Sequence, residues 1–185
     1  MDIITIASIA LGLAMDAFSV SIVSGATIKG LKINNALKIA IFFGSFQALM
    51  PLIGWLAGIS MRAFITGIDH WIVFGLLSLV GSKMIYESTK TESSERKIDP
   101  LNLYVLLLLA IATSIDALAV GISLSFLRVS IAMPVMVIGG VTFFLSFLGS
   151  FLGNRFGSFF ESKMELIGGL ILFGIGMKIL IEGLF

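Results

Sequence analysis

The chain has 185 residues, 58% of them hydrophobic and 12% charged, with a mean hydropathy of +1.11. A water-soluble core of this size does not reach that balance, so the sequence reads as an integral membrane protein. With a net charge of +1 and basic residues in short scattered groups, nothing suggests a nucleic-acid partner, and the lack of cysteine excludes disulfides, thiolate metal sites and cysteine nucleophiles.

A membrane-spanning helix needs about 20 mostly apolar residues. Six stretches qualify: Ile4 to Ile28, Asn35 to Ile59, Ile68 to Glu87, Leu101 to Phe126, Ile131 to Phe151 and Lys163 to Leu184. The first is expected to stay in the protein rather than serve as a removable signal, because it lacks a basic leading segment and carries Asp16. Between the third and fourth lies STKTESSERKIDP (Ser88 to Pro100), too hydrophilic for lipid. The expected organisation is therefore 1–87 as one three-helix repeat, 88–100 as a polar cytoplasmic linker and 101–185 as a second repeat.

The two halves resemble each other. Gly44, Gly54 and Gly58 recur 95 positions later as Gly139, Gly149 and Gly153, and GSKMIYE (Gly81 to Glu87) recurs at the same offset as GMKILIE (Gly176 to Glu182). MDAFSVSI (Met15 to Ile22) matches IDALAVGI (Ile115 to Ile122) at an offset of 100. Three crossings is an odd number, so the second half enters the membrane from the opposite side. The expected fold class is an all-α integral membrane protein of six transmembrane helices in an inverted three-plus-three repeat. Nine Lys and Arg, among them Lys29, Lys32, Lys38, Arg96 and Arg155, fall on one side of this arrangement, and Arg62, Arg128 and Lys178 on the other. The nine belong in the cytoplasm, which puts both termini outside a multi-pass plasma-membrane protein.

Within the first and fourth helices stands an acid where all else is apolar or small: Asp16 in LGLAMDAFSVSI and Asp116 in ATSIDALAVGIS. A carboxylate at the centre of a membrane helix costs at least about 2.5 kcal/mol, so such residues face a bundle interior and serve ions or protons. Ser8, Gly12, Asp16 and Ser19 share one helical face, as do Ala112 or Thr113, Asp116, Ala119 and Ser123. Small residues also permit close helix packing, which by itself accounts for the glycines and serines. Two carboxylates meeting across a pseudo-symmetry axis attract a divalent cation, and when empty they repel each other and hold a proton.

Neutral oxygens for such a site come from Gln47 and its partner at offset 95, Thr142, with Thr113 and Ser19 beside the acids. Pro51, four residues after Gln47, either frees a carbonyl as a further ligand or makes a packing kink. Oxygen donors without thiolate or an intramembrane histidine favour hard cations such as Mg, Ca or Mn over copper or zinc. Lys83 with Glu87 and Lys178 with Glu182 are spaced as ordinary helix-end ion pairs, and His70 beside Trp71 reads as an interface anchor. No enzyme motif is present, neither HExxH nor a Walker loop nor GxSxG. Without a nucleotide site, transport would draw on an ion gradient or the membrane potential. An exporter of another divalent cation or of small amino acids, a passive cation channel, and a non-transporting scaffold subunit are the competing classes.

The GLAMDAFSVSI and ATSIDALAVGISLSFL stretches, GSFQALMPLIGW, and DHWI at the start of the third helix (Asp69 to Ile72) together resemble the bacterial and archaeal manganese efflux pump family usually called MntP. The resemblance runs through all six helices. It implies a secondary-active exporter of manganese(II) from the cytoplasm, driven by proton exchange or the membrane potential. It also implies Asp16 and Asp116 as the principal metal-site residues, no permanently bound cofactor, Mn2+ as cargo and protons as the counter-ion. Several members carry glutamate in the second helix where this chain has Gln47, which takes one formal charge out of the site.

Overall fold

The computed structural model describes residues 2–28, 30–61 and 100–156, together with residues 71, 74–76, 78, 79, 82, 85, 86, 170, 173, 174, 177 and 181. Among the described residues are four long helices: α1 (Ile3–Thr27), α2 (Ile33–Met61), α3 (Leu103–Phe126) and α4 (Ala132–Phe156). Each is long and apolar enough to cross a membrane. Every described residue within the expected third and sixth spans is also helical. Those spans as wholes, the linker before Pro100, His70, and the Lys83–Glu87 and Lys178–Glu182 pairs lie outside the described residues.

Three of the four helices end within about two residues of the sequence expectation. The fourth runs to Phe156, five residues past Phe151, because the Gly153–Asn154–Arg155 tail stays helical and Asn154 finds carbonyl partners at Gly25 and Ile28, at the end of α1. Pro51 does not stop α2, which continues to Met61; a proline is tolerated there because neighbouring helices support the interrupted backbone. α3 opens on Asn102, whose Oδ1 accepts from the Tyr104 amide at 3.0 Å. It closes with Arg128 in the left-handed region at φ 56°, where the Leu127, Arg128 and Val129 amides turn back to the carbonyls of Ser123, Ser125 and Leu124.

The dominant packing is between halves: α1 lies along α4, α2 along α3, and α2 crosses α4, whereas α1 and α3 approach over only a short stretch. This pattern is unchanged when the halves are exchanged, and the glycine contacts show the same correspondence in detail. A Cβ on Gly54 would overlap the Leu118 carbonyl, and one on Gly149 would meet Phe18; a Cβ on Gly58 would crowd the Ile122 carbonyl, and one on Gly153 the Ile22 carbonyl. At the α2–α4 crossing a Cβ on Gly44 would stand 2.8 Å from Phe143 Cβ, and one on Gly139 would stand 2.8 Å from Ala48 Cβ. Each contact maps onto the other at the offsets of 95 and 100 read from the sequence. Helix association in lipid gains little from burying apolar surface, so close approach at small residues supplies the contact.

Side-chain bonds fix the ends. Asn154 Nδ2 donates to the carbonyls of Gly25 at 3.1 Å and Ile28 at 2.6 Å, Lys38 Nζ to Leu101 O at 2.7 Å, and Trp55 Nε1 to Val129 O at 3.0 Å. Lys32, Lys38 and Arg155 thereby gather at one end of the bundle and Arg128 at the other. α1 is the most enclosed helix, and the outer faces of α2 and α4 present exposed Ile41, Leu49, Ile53, Met136, Phe144 and Leu148, an apolar surface suited to lipid.

Candidate metal centre

Asp16 is the fourteenth of 25 residues in α1, and Asp116 the fourteenth of 24 in α3, so both stand near the middle of their spans. Both are buried, with 9% and 5% of their surface exposed. They are held inward because the opposite faces of their helices are apolar: Ile115, next to Asp116, is exposed, as is Leu11 on α1. Of the two positions open on α3, Thr113 is buried and Ala112 is exposed, so the polar face of α3 passes through Thr113, Asp116 and Ser123.

Gln47 is fully buried and reaches α1 directly, its Nε2 donating to Leu13 O at 3.3 Å, one turn before Asp16. With the amide nitrogen so engaged, the other end of the group, Oε1, is buried without a hydrogen-bond partner among the described residues. Its counterpart in the second half behaves likewise: Thr142 Oγ1 is fully buried and has no partner among the described residues. Gln47 and Thr142 each precede a residue of the α2–α4 crossing, Ala48 and Phe143. The crossing therefore carries two neutral oxygens at the centre of the bundle, one from each half.

Ser19 and Thr113 satisfy their own protons within their helices. Ser19 Oγ donates to Met15 O at 2.9 Å, and Thr113 Oγ1 to Leu109 O at 3.0 Å. Thr113 Oγ1, its proton committed to a carbonyl, keeps lone pairs for a cation or a water. Among the described residues no three His, Cys, Asp or Glu side chains cluster, and the buried acids there are Asp16 and Asp116. The chemistry of this donor set, carboxylate, amide carbonyl and hydroxyl oxygen, matches a hard divalent cation.

Two residues with a part in this arrangement were not singled out by the sequence reading. Asn154 and Trp55 both lie on helices that pack the aspartate-bearing ones and bond to main-chain carbonyls at opposite ends of the bundle. The signal for Asn154 is its place four residues after Ser150 on one helical face, beyond the expected span end at Phe151.

Long apolar helices enclosing a buried acid from each half define a multi-pass membrane protein with a polar centre. The family profile described as "Putative manganese efflux pump" (MntP) matches residues 30–180. Among curated proteins, one named "Putative manganese efflux pump MntP" from Crocosphaera subtropica is 59% identical over 184 residues, covering 100% of this chain and 98% of that protein. Namesakes from Methanosarcina mazei, at 53% identity over 98% of this chain and 97% of theirs, and from Clostridium botulinum, at 46% over 98% and 96%, align equally fully. No solved structure matches. The chain belongs to the MntP family.

Proposed function

We propose that the protein exports manganese(II) from the cytoplasm by secondary-active transport, with Asp16 and Asp116 as the charged ligands of a transient site near the bilayer midplane. The observation that carries this reading is the state of Gln47: its amide nitrogen is anchored one turn from Asp16 while its carbonyl oxygen is buried and unpartnered. A buried acceptor without a partner is unfavourable unless a cation or water completes it. Thr142 offers the same from the other half, and Ser19 and Thr113 add hydroxyl oxygens.

The halves form an inverted three-plus-three repeat, a reading favoured by the matched glycine contacts and by the packing pattern that survives their exchange. Rocking of the halves about the α2–α4 crossing would expose the site to either side in turn. Protons taken up by the vacated aspartates would reset the pump and supply the driving force. The Lys32, Lys38 and Arg155 end faces the cytoplasm by the excess of positive charge, placing both termini outside.

Reconstitution tests this. Proteoliposomes holding the full chain should take up Mn2+ through inward-facing copies in preference to Mg2+, Ca2+, Zn2+ and small amino acids, and the uptake should saturate and respond to a pH gradient. Flux that fails to saturate and moves no protons would mark a channel instead, and preference for another cargo would reassign the substrate.

A further inference from the structure

Four polar residues follow α4 at intervals of four, from its centre to its end: Thr142, Ser146, Ser150 and Asn154. Residues so spaced stand one above another on a single face, and this face meets α1, since Gly149 and Gly153 beside it abut Phe18 and Ile22. At the mirrored positions α2 carries Gln47, Pro51, Trp55 and Ile59, polar at the site but apolar in bulk beyond it. The partner helices differ as well. α1 buries Ser19, Ser21 and Ser24 where α3 has Ala119, Gly121 and Leu124, while α3 buries Ser123 and Ser125 where α1 has Val23 and Gly25. One seam of the bundle is lined with hydroxyls from the centre to the end bearing Lys32 and Arg155. The other carries bulky Pro51, Trp55 and Ile59 on α2, with fewer hydroxyls on α3: Ser123 and Ser125 are buried there, and Ser125 Oγ beside Gly58 also has no hydrogen-bond partner among the described residues.

A line of small polar residues can be packing alone, but Ser146 is not explained by packing. Its Oγ is fully buried and has no hydrogen-bond partner among the described residues. Ser21 and Ser150 on the same seam donate to carbonyls one turn back, Ser150 to the main chain of Ser146 itself at 2.9 Å. A buried hydroxyl that forgoes this bond is unfavourable unless another partner reaches it in a different conformation. In the present conformation the seam is shut: Gly25 and Gly153 bring the two backbones into contact, and Asn154 bolts the end by its bonds to Gly25 O and Ile28 O.

We propose that the α1–α4 seam opens to become the route of a hydrated divalent cation between the paired aspartates and the cytoplasmic end, with Ser146 as a station on it and Asn154 as its latch. The inference rests on the exporter reading above and deepens it. Hydroxyl oxygens exchange for the waters of a hard cation one at a time, which the Pro51, Trp55 and Ile59 side chains cannot do. Breaking two bonds of one amide side chain frees the end of the seam.

The natural absence of cysteine makes the test direct. Single substitutions Ser146→Cys and Ser150→Cys in the full chain are reacted with a cationic methanethiosulfonate reagent in inverted membrane vesicles. Leu124→Cys, buried on α3, and lipid-facing Leu49→Cys serve as controls. Both seam positions should react about tenfold faster than the controls, because apolar burial raises a thiol pKa and withholds the thiolate. Asn154→Ala should speed the reaction at Ser150→Cys, and MnCl2 should slow it at Ser146→Cys. Rates no faster than the controls, with Asn154 present and with Asn154→Ala alike, overturn the route, as does reaction in right-side-out vesicles alone. The two readings fail separately: labelling persists in Asp16→Asn if the route is right, whereas normal transport by Asp16→Asn would overturn the site and leave the route standing.

Discussion

Gln47 on α2 donates its side-chain amide to the carbonyl of Leu13 on α1 at 3.3 Å, and its own oxygen is left buried and unpartnered. The bond fixes which end of the amide faces α1, and so orients the oxygen. Gln47→Ala removes both a tether and a donor. Loss of a group that orients or completes a metal site weakens affinity by about 10- to 100-fold. The apparent KM for Mn2+ uptake into inverted vesicles should rise by that factor; an unchanged KM would remove Gln47 from the site.

The matched glycine contacts give a paired expectation. Gly54→Ala and Gly149→Ala each force a methyl against the facing helix, at the Leu118 carbonyl and at Phe18, and overpacking of this kind costs about 1–3 kcal/mol. Both variants should unfold at lower temperature in detergent, whereas Gly140→Ala, with no atom within 4 Å of the added carbon, should not. Equal melting of all three would contradict the close approach.

Arg128 holds φ at 56° in the turn after α3, where Trp55 bonds to the next carbonyl. A left-handed conformation costs an L-residue about 1–2 kcal/mol, and a β-branched residue tolerates it least. Arg128→Val should therefore lower thermal stability relative to the parent, and Arg128→Gly should equal or exceed it. The reverse order, read by fluorescence-detected melting, would mean the turn relaxes.

Much of this was legible before any coordinates, for a physical reason. Lipid demands long apolar runs, and hydropathy marked the helices that became α1 to α4 to within a few residues, except where α4 runs on to Phe156. Asp16 and Asp116 stood out because buried charge is expensive there, and the offsets of 95 and 100 anticipated which glycines would make equivalent contacts. Partnerships across the halves were not legible. Periodicity cannot say that α1 lies along α4 rather than α2, nor choose Thr113 over Ala112, one residue apart on a broad face. Asn154 was hidden because it lies past the expected span end at Phe151, while its partners, Gly25 O and Ile28 O, are distant in sequence.

Lys38 donates to Leu101 O at 2.7 Å and ties the start of α2 to the entry of α3. A hydrogen bond from a charged group contributes about 1.5–3 kcal/mol. Lys38→Met should lower the melting temperature without changing the KM for Mn2+, which separates a bundle-end tether from a site residue. A change in KM with unaltered melting would reverse that assignment.

The central claim is that one acid from each half shares a dication, and Mn2+ binding measures it most directly. Free Mn2+ gives a six-line electron paramagnetic resonance signal that fades on binding, so purified protein in nanodiscs can be titrated without any transport. The expected result is a saturable site in the parent chain that is lost in both Asp16→Asn and Asp116→Asn, each variant remaining folded by its melting curve. Undiminished binding in either variant would contradict a site shared between the two halves.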